Sequence, residues 1–396
     1  MATVRIMTPE DIDAVSDLTA RIFGDPDEYE ITSDLLKSAY HECPFMPPDL
    51  CWVGEEAGRI VVKWQILDLE MLVAGVPIRM GGIQAVAAEP DANHKGYAKK
   101  VALAALPQIK DRGFDFVLGF AKRGAFYRRL GAVVVAAENE IEIEVAGIPR
   151  LREDIFRPWV EQDDLATVLQ MYNQLQPMAT GPLVRSTDLW PWLLRRTHAI
   201  WICPAGYIGI VESPGEMEVR EVVGQGSAFH EAALRKLGAL AREKGIRRIK
   251  AVLPPNHPLV NCMMTYGFEM QTIYSRKAGC IGLALAPVRL IGRLRDVMDS
   301  RLANSTHSNL SVELNLEGPD EIDQIRLNEG GQSLRKLNLK LSSGALLQLA
   351  LGHLSIATLL EQDPSASLEP HDADTLDLLD TLFPIGHPFM PHADRY

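Results

Sequence analysis

Residues 83–100 of the chain read IQAVAAEPDANHKGYAKK, and this is the most informative part of the sequence. A short apolar segment reaches Ala88 and stops at Pro90, which predicts a strand that ends there. A turn containing Gly96 follows, and a helix is predicted to begin near Ala98. The free N–H groups and the dipole of a helix start favour phosphate oxygens, and a glycine lets the backbone approach them closely. The stretch therefore predicts a phosphate-binding strand–turn–helix unit.

Basic residues surround this predicted helix start, namely His94, Lys95, Lys99 and Lys100. Basic groups in a first helical turn oppose the helix dipole at a cost of roughly a few tenths of a kcal/mol each. A bound anion would offset that cost. The alternative is an ordinary helix start with exposed lysines, and we favour the phosphate site over it.

A helix-start pattern occurs twice along the chain. Residues 8–11, Thr-Pro-Glu-Asp, predict a capped helix start, and residues 157–165 repeat the pattern. Basic helix ends with a glycine stop occur at residues 110–113 and again at residues 242–245. Two copies of one α/β fold are the simplest explanation for both repeated patterns.

Beyond about residue 288 the pattern changes to that of a small α+β domain. The predicted elements are a helix at 288–302, strands at 311–316 and 333–341, and helices at 345–360 and 376–383. The predicted domains are residues 1–150, which carry the phosphate motif, residues 151–287, and residues 288–396. The expected fold class is α/β for the first two and α+β for the third.

The composition is that of a soluble globular protein. Of 396 residues, 47% are hydrophobic and 23% charged, and the net charge of −12 argues against nucleic acid as the main partner. The five cysteines are widely spaced without a CxxC pair, and the histidines lack metal-ligand spacing, so we expect reduced thiols and no metal site. No apolar run reaches the ~18 residues of a membrane span, and the first residues lack a signal-peptide pattern. These features predict a cytoplasmic protein.

The phosphate motif resembles the acyl-CoA pyrophosphate loop of the GCN5-related N-acetyltransferase (GNAT) superfamily. That loop follows a strand and has the pattern Pro-x-x-(Arg/Gln)-x-x-Gly-x-(Gly/Ala). Pro90, Gly96 and Ala98 match it, whereas Asn93 stands where Arg or Gln is usual. The resemblance implies acetyl-CoA as the co-substrate.

The same resemblance implies two groups of cofactor contacts. Backbone groups of the strand at Val86 and Ala88 would pair with the pantetheine arm of the cofactor. The loop and the helix start would hold the pyrophosphate through Asn93, His94, Lys95, Gly96, Tyr97 and Ala98.

A second motif, residues 125–132 with the sequence AFYRRLGA, resembles a later helix of the superfamily, where a tyrosine precedes a Leu-Gly turn. By this resemblance Tyr127 lies near the CoA sulfur and protonates the departing thiolate. A phenol with a pKa near ~10 is a reasonable acid for a thiol near ~8.5 once the site orients it. The alternative is that Tyr127 only packs at the end of a helix.

The whole chain resembles the enhanced-intracellular-survival (Eis) family of aminoglycoside and lysine acetyltransferases, in which two tandem GNAT folds precede a sterol-carrier-protein-2-like (SCP2-like) domain. Residues 342–360 and the ending Asp394-Arg-Tyr396 carry this likeness. In that family an aromatic C-terminal residue supplies its carboxylate as the base, which implies this role for Tyr396. A disordered terminus is the alternative. Relatives form hexamers, so the resemblance implies a homo-oligomer.

The second GNAT-like copy is predicted to be degenerate and structural. Residues 224–226, Gly-Gln-Gly, precede its helix without the family's proline or a basic cluster. The expected function is that of a transferase, which moves acetyl from acetyl-CoA to a primary amine of a small cationic or lysine-like acceptor. Two alternatives stay open, a non-catalytic acyl-CoA- or lipid-binding protein with this fold and a transferase using a longer acyl-CoA.

Overall fold

A computed structural model of the chain describes residues 2–24, 29–92, 95–121, 124–174, 179–192, 199–274 and 279–395. The chain forms two compact units, each assembled from several segments. Unit 1 consists of Met1–Glu70, Ile78–Val135 and Arg276–Gly386, and unit 2 consists of Met71–Pro77, Ala136–Ser275 and His387–Tyr396.

The described strands and α-helices alternate along most of the chain. In chain order the strands are β1 (Thr3–Ile6), β2 (Cys51–Glu56), β3 (Arg59–Val73), β4 (Val76–Ala88), β5 (Phe116–Phe120), β6 (Val133–Ala136), β7 (Glu138–Glu144), β8 (Arg157–Pro158), β9 (Ala199–Cys203), β10 (Gly206–Ser213), β11 (Glu216–Gly224), β12 (Arg248–Val252), β13 (Glu269–Ile273), β14 (Cys280–Ala284), β15 (Leu310–Glu317), β16 (Ile322–Leu327), β17 (Ser333–Lys340) and β18 (Ser367–Glu369). The helices are α1 (Ile12–Phe23), α2 (Tyr29–Glu42), α3 (Tyr97–Asp111), α4 (Gly124–Arg128), α5 (Glu161–Gln174), α6 (Gly226–Glu243), α7 (Pro258–Met263), α8 (Pro287–Arg293), α9 (Arg295–Ala303), α10 (Ser343–Ala350), α11 (Ile356–Gln362) and α12 (Ala373–Leu382). None of these helices combines the length and apolarity that crossing a bilayer requires.

The first sheet, in unit 1, has seven strands in the order β1-β2-β3-β4-β5-β14-β6. Strands β4 and β5 are parallel, and within the described residues they pair only at Gly81 with Val117 and at Gly82 with Leu118. Ala85 has a φ of 40°, which interrupts the extended course of β4 just beyond that pairing, as a bulge does. Beyond Gly82, the described residues of β4 form no further ladder pair with β5.

The second sheet, in unit 2, has the order β13-β7-β12-β11-β10-β9-β8. Counted from β8, it repeats the order of the first sheet, with its parallel pair β11–β12 again in the fourth and fifth places. The sixth place is taken by β7 in this sheet and by β14 in the first sheet. Two copies of one sheet topology are therefore present. The first half of the chain gives β7 to the second sheet, and the second half gives β14 to the first sheet.

This exchange crosses the linear domain bounds that the sequence suggested. Strand β7 lies within residues 1–150 but joins the second sheet, and β14 lies within residues 151–287 but joins the first. Only Ala137 separates β6 from β7, whereas a hairpin needs a loop of about two residues. Because β7 cannot fold back on β6, it continues into the other sheet.

Each copy begins with an arginine that holds an aspartate of the helix start. In unit 1, the Nη1 and Nη2 atoms of Arg5 lie 2.5 and 2.9 Å from the Asp11 carboxylate, and Thr8 and Asp11 form the predicted capping box. In unit 2, Arg157 contacts Asp164 in the same way, at 2.6 and 2.7 Å. The predicted repeat of the helix start is confirmed.

Residues 287–386 form a layer of helices and a four-stranded sheet in the order β16-β15-β17-β18. The predicted helix 288–302 is divided into α8 and α9, and the predicted helix 345–360 is divided into α10 and α11. The second division follows Gly352, whose φ of 68° ends the helical course. This part packs within unit 1, where Asp115 accepts hydrogen bonds from Arg289 and Arg293 at 2.5 and 2.8 Å. Its likeness to a sterol carrier stays a prediction.

Candidate active site

The end of β4 leads to the start of α3. Strand β4 ends at Ala88, and α3 begins at Tyr97 with Gly96 as its N-cap. Gly96 has a φ of 76°, and no described residue lies within 4 Å of a Cβ placed there. The N–H of Lys100 bonds to the Gly96 carbonyl at 3.0 Å, and the N–H groups before it lack helical acceptors. The helix start lies where the sequence predicted it, and its role in binding phosphate stays a prediction.

Helix α3 contains a proline in its interior. Although Pro107 lies within it, α3 continues to Asp111. A proline removes one backbone hydrogen bond. The buried face formed by Ala102, Ala105 and Ile109 continues past it and holds the helix against the core of unit 1.

The basic residues at this helix start are partly paired. The Nζ of Lys95 lies 3.1 Å from Glu56 Oε2, and the Tyr97 hydroxyl donates to the other oxygen of Glu56. The Nζ of Lys100 donates to the Ala2 carbonyl at 2.6 Å. Hydrogen bonds from Tyr97 and Lys95 lower the pKa of Glu56, so this carboxylate offsets part of the positive charge that the sequence suggested. Lys99 stays exposed.

Three aromatic rings form a cluster on the same face of the first sheet. The ring centroids of Trp64 and Tyr127 are 6.0 Å apart, those of Phe126 and Tyr127 are 5.0 Å apart, and those of Trp64 and Phe126 are 6.1 Å apart. The predicted site residues that pack against the same apolar core are Val86, Ala88, Tyr97, Ala98 and Tyr127. The structure therefore brings the strand, the helix start and the tyrosine together.

Tyr127 is fixed by the turn that ends α4. Its carbonyl accepts hydrogen bonds from the N–H groups of Leu130 and Ala132 at 2.9 and 3.0 Å, and Gly131 turns the chain with a φ of 91°. Burial raises the pKa of the Tyr127 phenol to about 12. A phenol with this pKa is protonated at neutral pH and can donate a hydrogen bond.

Two polar groups of this cluster lack a protein partner within the described residues. The Tyr127 hydroxyl forms no hydrogen bond, and the Nε1 of the fully buried Trp64 has none either. An unsatisfied buried donor costs about 1–3 kcal/mol, so a ligand that accepts from it would recover that cost. The sequence did not single out Trp64, because its place in an apolar strand signals only a core residue.

The described residues contain no group of three or more His, Cys, Asp or Glu side chains that could hold a metal ion. Three of the predicted site residues, Asn93, His94 and Tyr396, lie outside the described part of the chain. Their predicted roles are therefore not tested by the structure.

The second copy differs at the corresponding place. There β11 ends at Gly224 and α6 begins at Gly226. A Cβ on Gly224 would overlap the ring of Phe229, which is buried against the strand end. Phe229 therefore packs on the end of β11, whereas Gly226 at the start of α6 resembles Gly96, with a positive φ of 79° and nothing described within 4 Å of a Cβ. The structural role of the second copy stays a prediction.

One part of the chain matches a known domain family. Residues 3–135 match the family model of the acetyltransferase (GNAT) domain. This range includes β4, the start of α3 and Tyr127. Domains of this class take acetyl-CoA as co-substrate and transfer its acyl group.

Several solved structures have the same fold over the length of this chain. A GCN5-related N-acetyltransferase from Kribbella flavida is 19% identical, with a TM-score of 0.74 over 100% of this chain and 98% of that chain. A probable N-acyltransferase from Enterococcus faecalis V583 is 16% identical, with a TM-score of 0.75, and Eis1 from Mycobacterium abscessus is 14% identical, with a TM-score of 0.65, both over 100% of each chain. No curated protein sequence gives a significant match. At these identities the likeness shows the fold alone.

Proposed function

We propose that this protein is an N-acetyltransferase that moves the acetyl group of acetyl-CoA to a primary amine of a small cationic or lysine-like acceptor. One observation carries the proposal: the part of β4 beyond its last described pair with β5 leads to the helix start at Gly96, and Tyr127 packs against the same apolar core. This arrangement offers backbone groups, a phosphate site and a hydrogen-bond donor along one path.

The proposed cofactor contacts follow from this path. Backbone groups of Val86 and Ala88 lie beyond the last β4–β5 pair and are available to the amides of the pantetheine arm. The N–H groups at the start of α3, beside Gly96, would bind the pyrophosphate. Asn93, His94 and Lys95 complete the proposed loop.

The proposed reaction is direct attack in a ternary complex. The amine nitrogen attacks the thioester carbonyl carbon, the C–S bond breaks, and the sulfur leaves as a thiolate. A full proton transfer from a phenol with a pKa of about 12 to a thiolate near ~8.5 is uphill by roughly 5 kcal/mol. We therefore propose that Tyr127 keeps its proton and stabilises the leaving thiolate as a hydrogen-bond donor, and that the thiolate takes its proton from solvent after the C–S bond has broken.

The amine must also lose a proton, and we propose that the Tyr396 carboxylate accepts it. The ammonium form of the acceptor is attracted to the same carboxylate. A homo-oligomer, with the hexamer as the assembly of the resembling family, and a cytoplasmic location are further predictions from the resemblance.

The experiment that tests the function has two stages. Calorimetry measures acetyl-CoA binding to the full chain, and thiol release is then followed with a panel of primary amines. Micromolar binding with amine-dependent release supports the proposal. Binding without release with any amine would favour the non-catalytic acyl-CoA-binding alternative, and faster release from longer acyl-CoAs would favour the long-chain transferase. Absence of binding would overturn the proposal.

A further inference from the structure

The C-terminal segment, residues 387–395, is packed into unit 2. The N–H of Phe389 donates to the Thr180 carbonyl at 2.9 Å. This close approach depends on Gly181, where a Cβ would overlap the carbonyl of Phe389 and where φ is 120°. Met390 and Asp394 are also buried, at 3% and 0% exposure, although chain ends are usually poorly ordered.

Asp394 is the polar centre of this packing. Its Oδ2 accepts hydrogen bonds from the Tyr172 hydroxyl at 2.6 Å and from the Leu183 N–H at 3.0 Å. Its Oδ1 lies 2.8 Å from Arg185 Nε and 2.7 Å from Arg185 Nη2. Four donor atoms from unit 2 therefore converge on one fully buried carboxylate.

Arg185 connects Asp394 to the second sheet. Its guanidinium pairs with Glu221 of β11, and it also lies over the Tyr172 ring at 3.5 Å from the centroid. The Tyr207 hydroxyl donates to Glu221 Oε2 at 3.0 Å, and Arg185 Nη1 donates to the same oxygen. Removing Arg185 would leave two buried carboxylates without a counter-charge, which is strongly unfavourable. Removing the Asp394 carboxylate would leave buried donors of Tyr172 and Arg185 without their acceptor. Apolar side chains could fill the same volume, but they would not fix the segment in one register.

We propose that Asp394, Arg185 and Glu221 form a latch that holds residues 387–395 in one register and so positions Tyr396. This inference rests on the proposed role of the Tyr396 carboxylate as base. Two residues span about 7 Å at most, so a shift of Asp394 is transmitted to residue 396 with little slack. Asp394 is a positioning residue, because it acts through the segment.

The first test is hydrogen exchange of the segment, followed by mass spectrometry on the full chain. Asp394→Asn keeps the size of the side chain and an acceptor for the Leu183 N–H but removes the charge that Arg185 pairs with. We expect about ten-fold or faster exchange in the peptide covering 387–395, with α6 unchanged. Glu138→Gln is the matched control, because it breaks an ion pair to Arg395 of the same segment, at 2.5 Å, by the same chemical change. We expect exchange within about two-fold of the parent for that control, since the pair is partly exposed.

The hydrogen-exchange result tests whether the latch holds the segment, and it does so without any measurement of catalysis. Unchanged exchange in Asp394→Asn and Asp394→Ala would overturn it. Faster exchange that extends equally to α6 would also overturn it, since this would show a general stabilising role. If Asp394→Ala does not fold, Asp394→Asn alone gives the result.

The second test is the acetyl-transfer rate of the same variants. With the base misplaced, we expect kcat to fall roughly 10- to 100-fold in Asp394→Asn, with the KM for acetyl-CoA within about two-fold. Faster exchange of residues 387–395 together with an unchanged kcat would show that the latch does not position Tyr396. Tyr396 would then be removed from the proposed mechanism. The exchange result on the latch itself would still hold. If the parent protein transfers no acetyl group, the proposed function is overturned. The exchange test would still decide whether the latch holds residues 387–395, because it does not depend on catalysis.

Discussion

The ring of Tyr127 lies edge-on to the indole of Trp64, with the centroids 6.0 Å apart and the planes at 65°. Trp64 is fully buried in β3, so its own orientation is fixed by the core. Tyr127 is half-buried in the short helix α4 and packs against this fixed surface. The edge-on contact is a favourable aromatic geometry, and it orients the phenol that the proposed mechanism uses.

Replacing Trp64 should therefore lower kcat more than replacing another buried tryptophan that destabilises the protein to a similar extent. We expect Trp64→Phe to lower kcat roughly ten-fold, because a small displacement of a reacting group is costly. Trp52→Phe is the control, since Trp52 is also fully buried, pairs with Trp64 across β2 and β3, and likewise has a partnerless Nε1. Thermal unfolding should show similar losses for both variants. Equal losses of kcat in both would contradict the orienting role.

The Tyr127 hydroxyl is expected to act in the transition state more than in binding. Tyr127→Phe should lower kcat by about 10²- to 10⁴-fold while the KM for acetyl-CoA stays nearly constant. Tyr97→Phe is the control, because it removes a hydroxyl of the same site that bonds to Glu56. That variant should keep its kcat. An unchanged kcat in Tyr127→Phe would instead support a packing role for this side chain.

The raised pKa of Tyr127 predicts the shape of the pH profile. Because burial raises it to about 12, the protonated phenol is present throughout the neutral and mildly alkaline range. The kcat of acetyl transfer should rise as the acceptor amine and the base lose protons, and it should not fall again between about pH 7 and 10. Stopped-flow or plate-based thiol release over this range measures it. An alkaline decline that disappears in Tyr127→Phe would show that the phenol ionises at a lower pH.

The sequence was sufficient for local elements but not for their partners. The helix starts at Asp11 and Asp164 and the strand ending at Ala88 follow from capping residues and short-range patterns. The exchange of β7 and β14 did not follow, because alternation of side chains predicts a strand without specifying the sheet it joins. The one-residue link at Ala137 was the available signal.

The candidate site shows the same division. Gly96 and Tyr127 lie in contiguous motifs and could be found in the sequence. Trp64 and Asp394 could not, since each gains its role from residues far away in the chain. A tryptophan in an apolar strand and an aspartate in a Pro-rich tail have no distinctive local pattern, and only the fold shows their contacts.

The position of Gly96 at the start of α3 predicts that a side chain there would compete with the cofactor phosphates. We expect Gly96→Glu to weaken acetyl-CoA binding roughly ten-fold or more, because its carboxylate would repel the pyrophosphate. Gly215→Glu is a matched control, since Gly215 also has a positive φ, 78°, with nothing within 4 Å of a Cβ, and lies in the β10–β11 turn. Calorimetry compares the two variants with the parent. Equal affinity in both variants would place the phosphates elsewhere.

The paired helix starts predict how stability depends on acid. Hydrogen bonds from Arg5 and Arg157 lower the pKa values of Asp11 and Asp164 from 3.8 to about 2. A carboxylate whose folded pKa is depressed stabilises the fold above its unfolded pKa. These two contributions are therefore complete above about pH 4 and are lost as the pH falls from about 4 to 2.

Replacing either aspartate should remove this acid dependence. At pH 7, Asp11→Asn and Asp164→Asn should each lower the stability of their own unit by about 0.5–1 kcal/mol, because each pair includes a partly exposed arginine. The difference from the parent in thermal unfolding should shrink towards zero near pH 2, where the parent carboxylates are protonated as well. Asp13→Asn is the control, since this aspartate in the first turn of α1 is highly exposed and lies 3.5 Å from Lys37. A difference that stays constant from pH 7 to pH 2 would mean that packing or capping, and not ionisation, accounts for the loss.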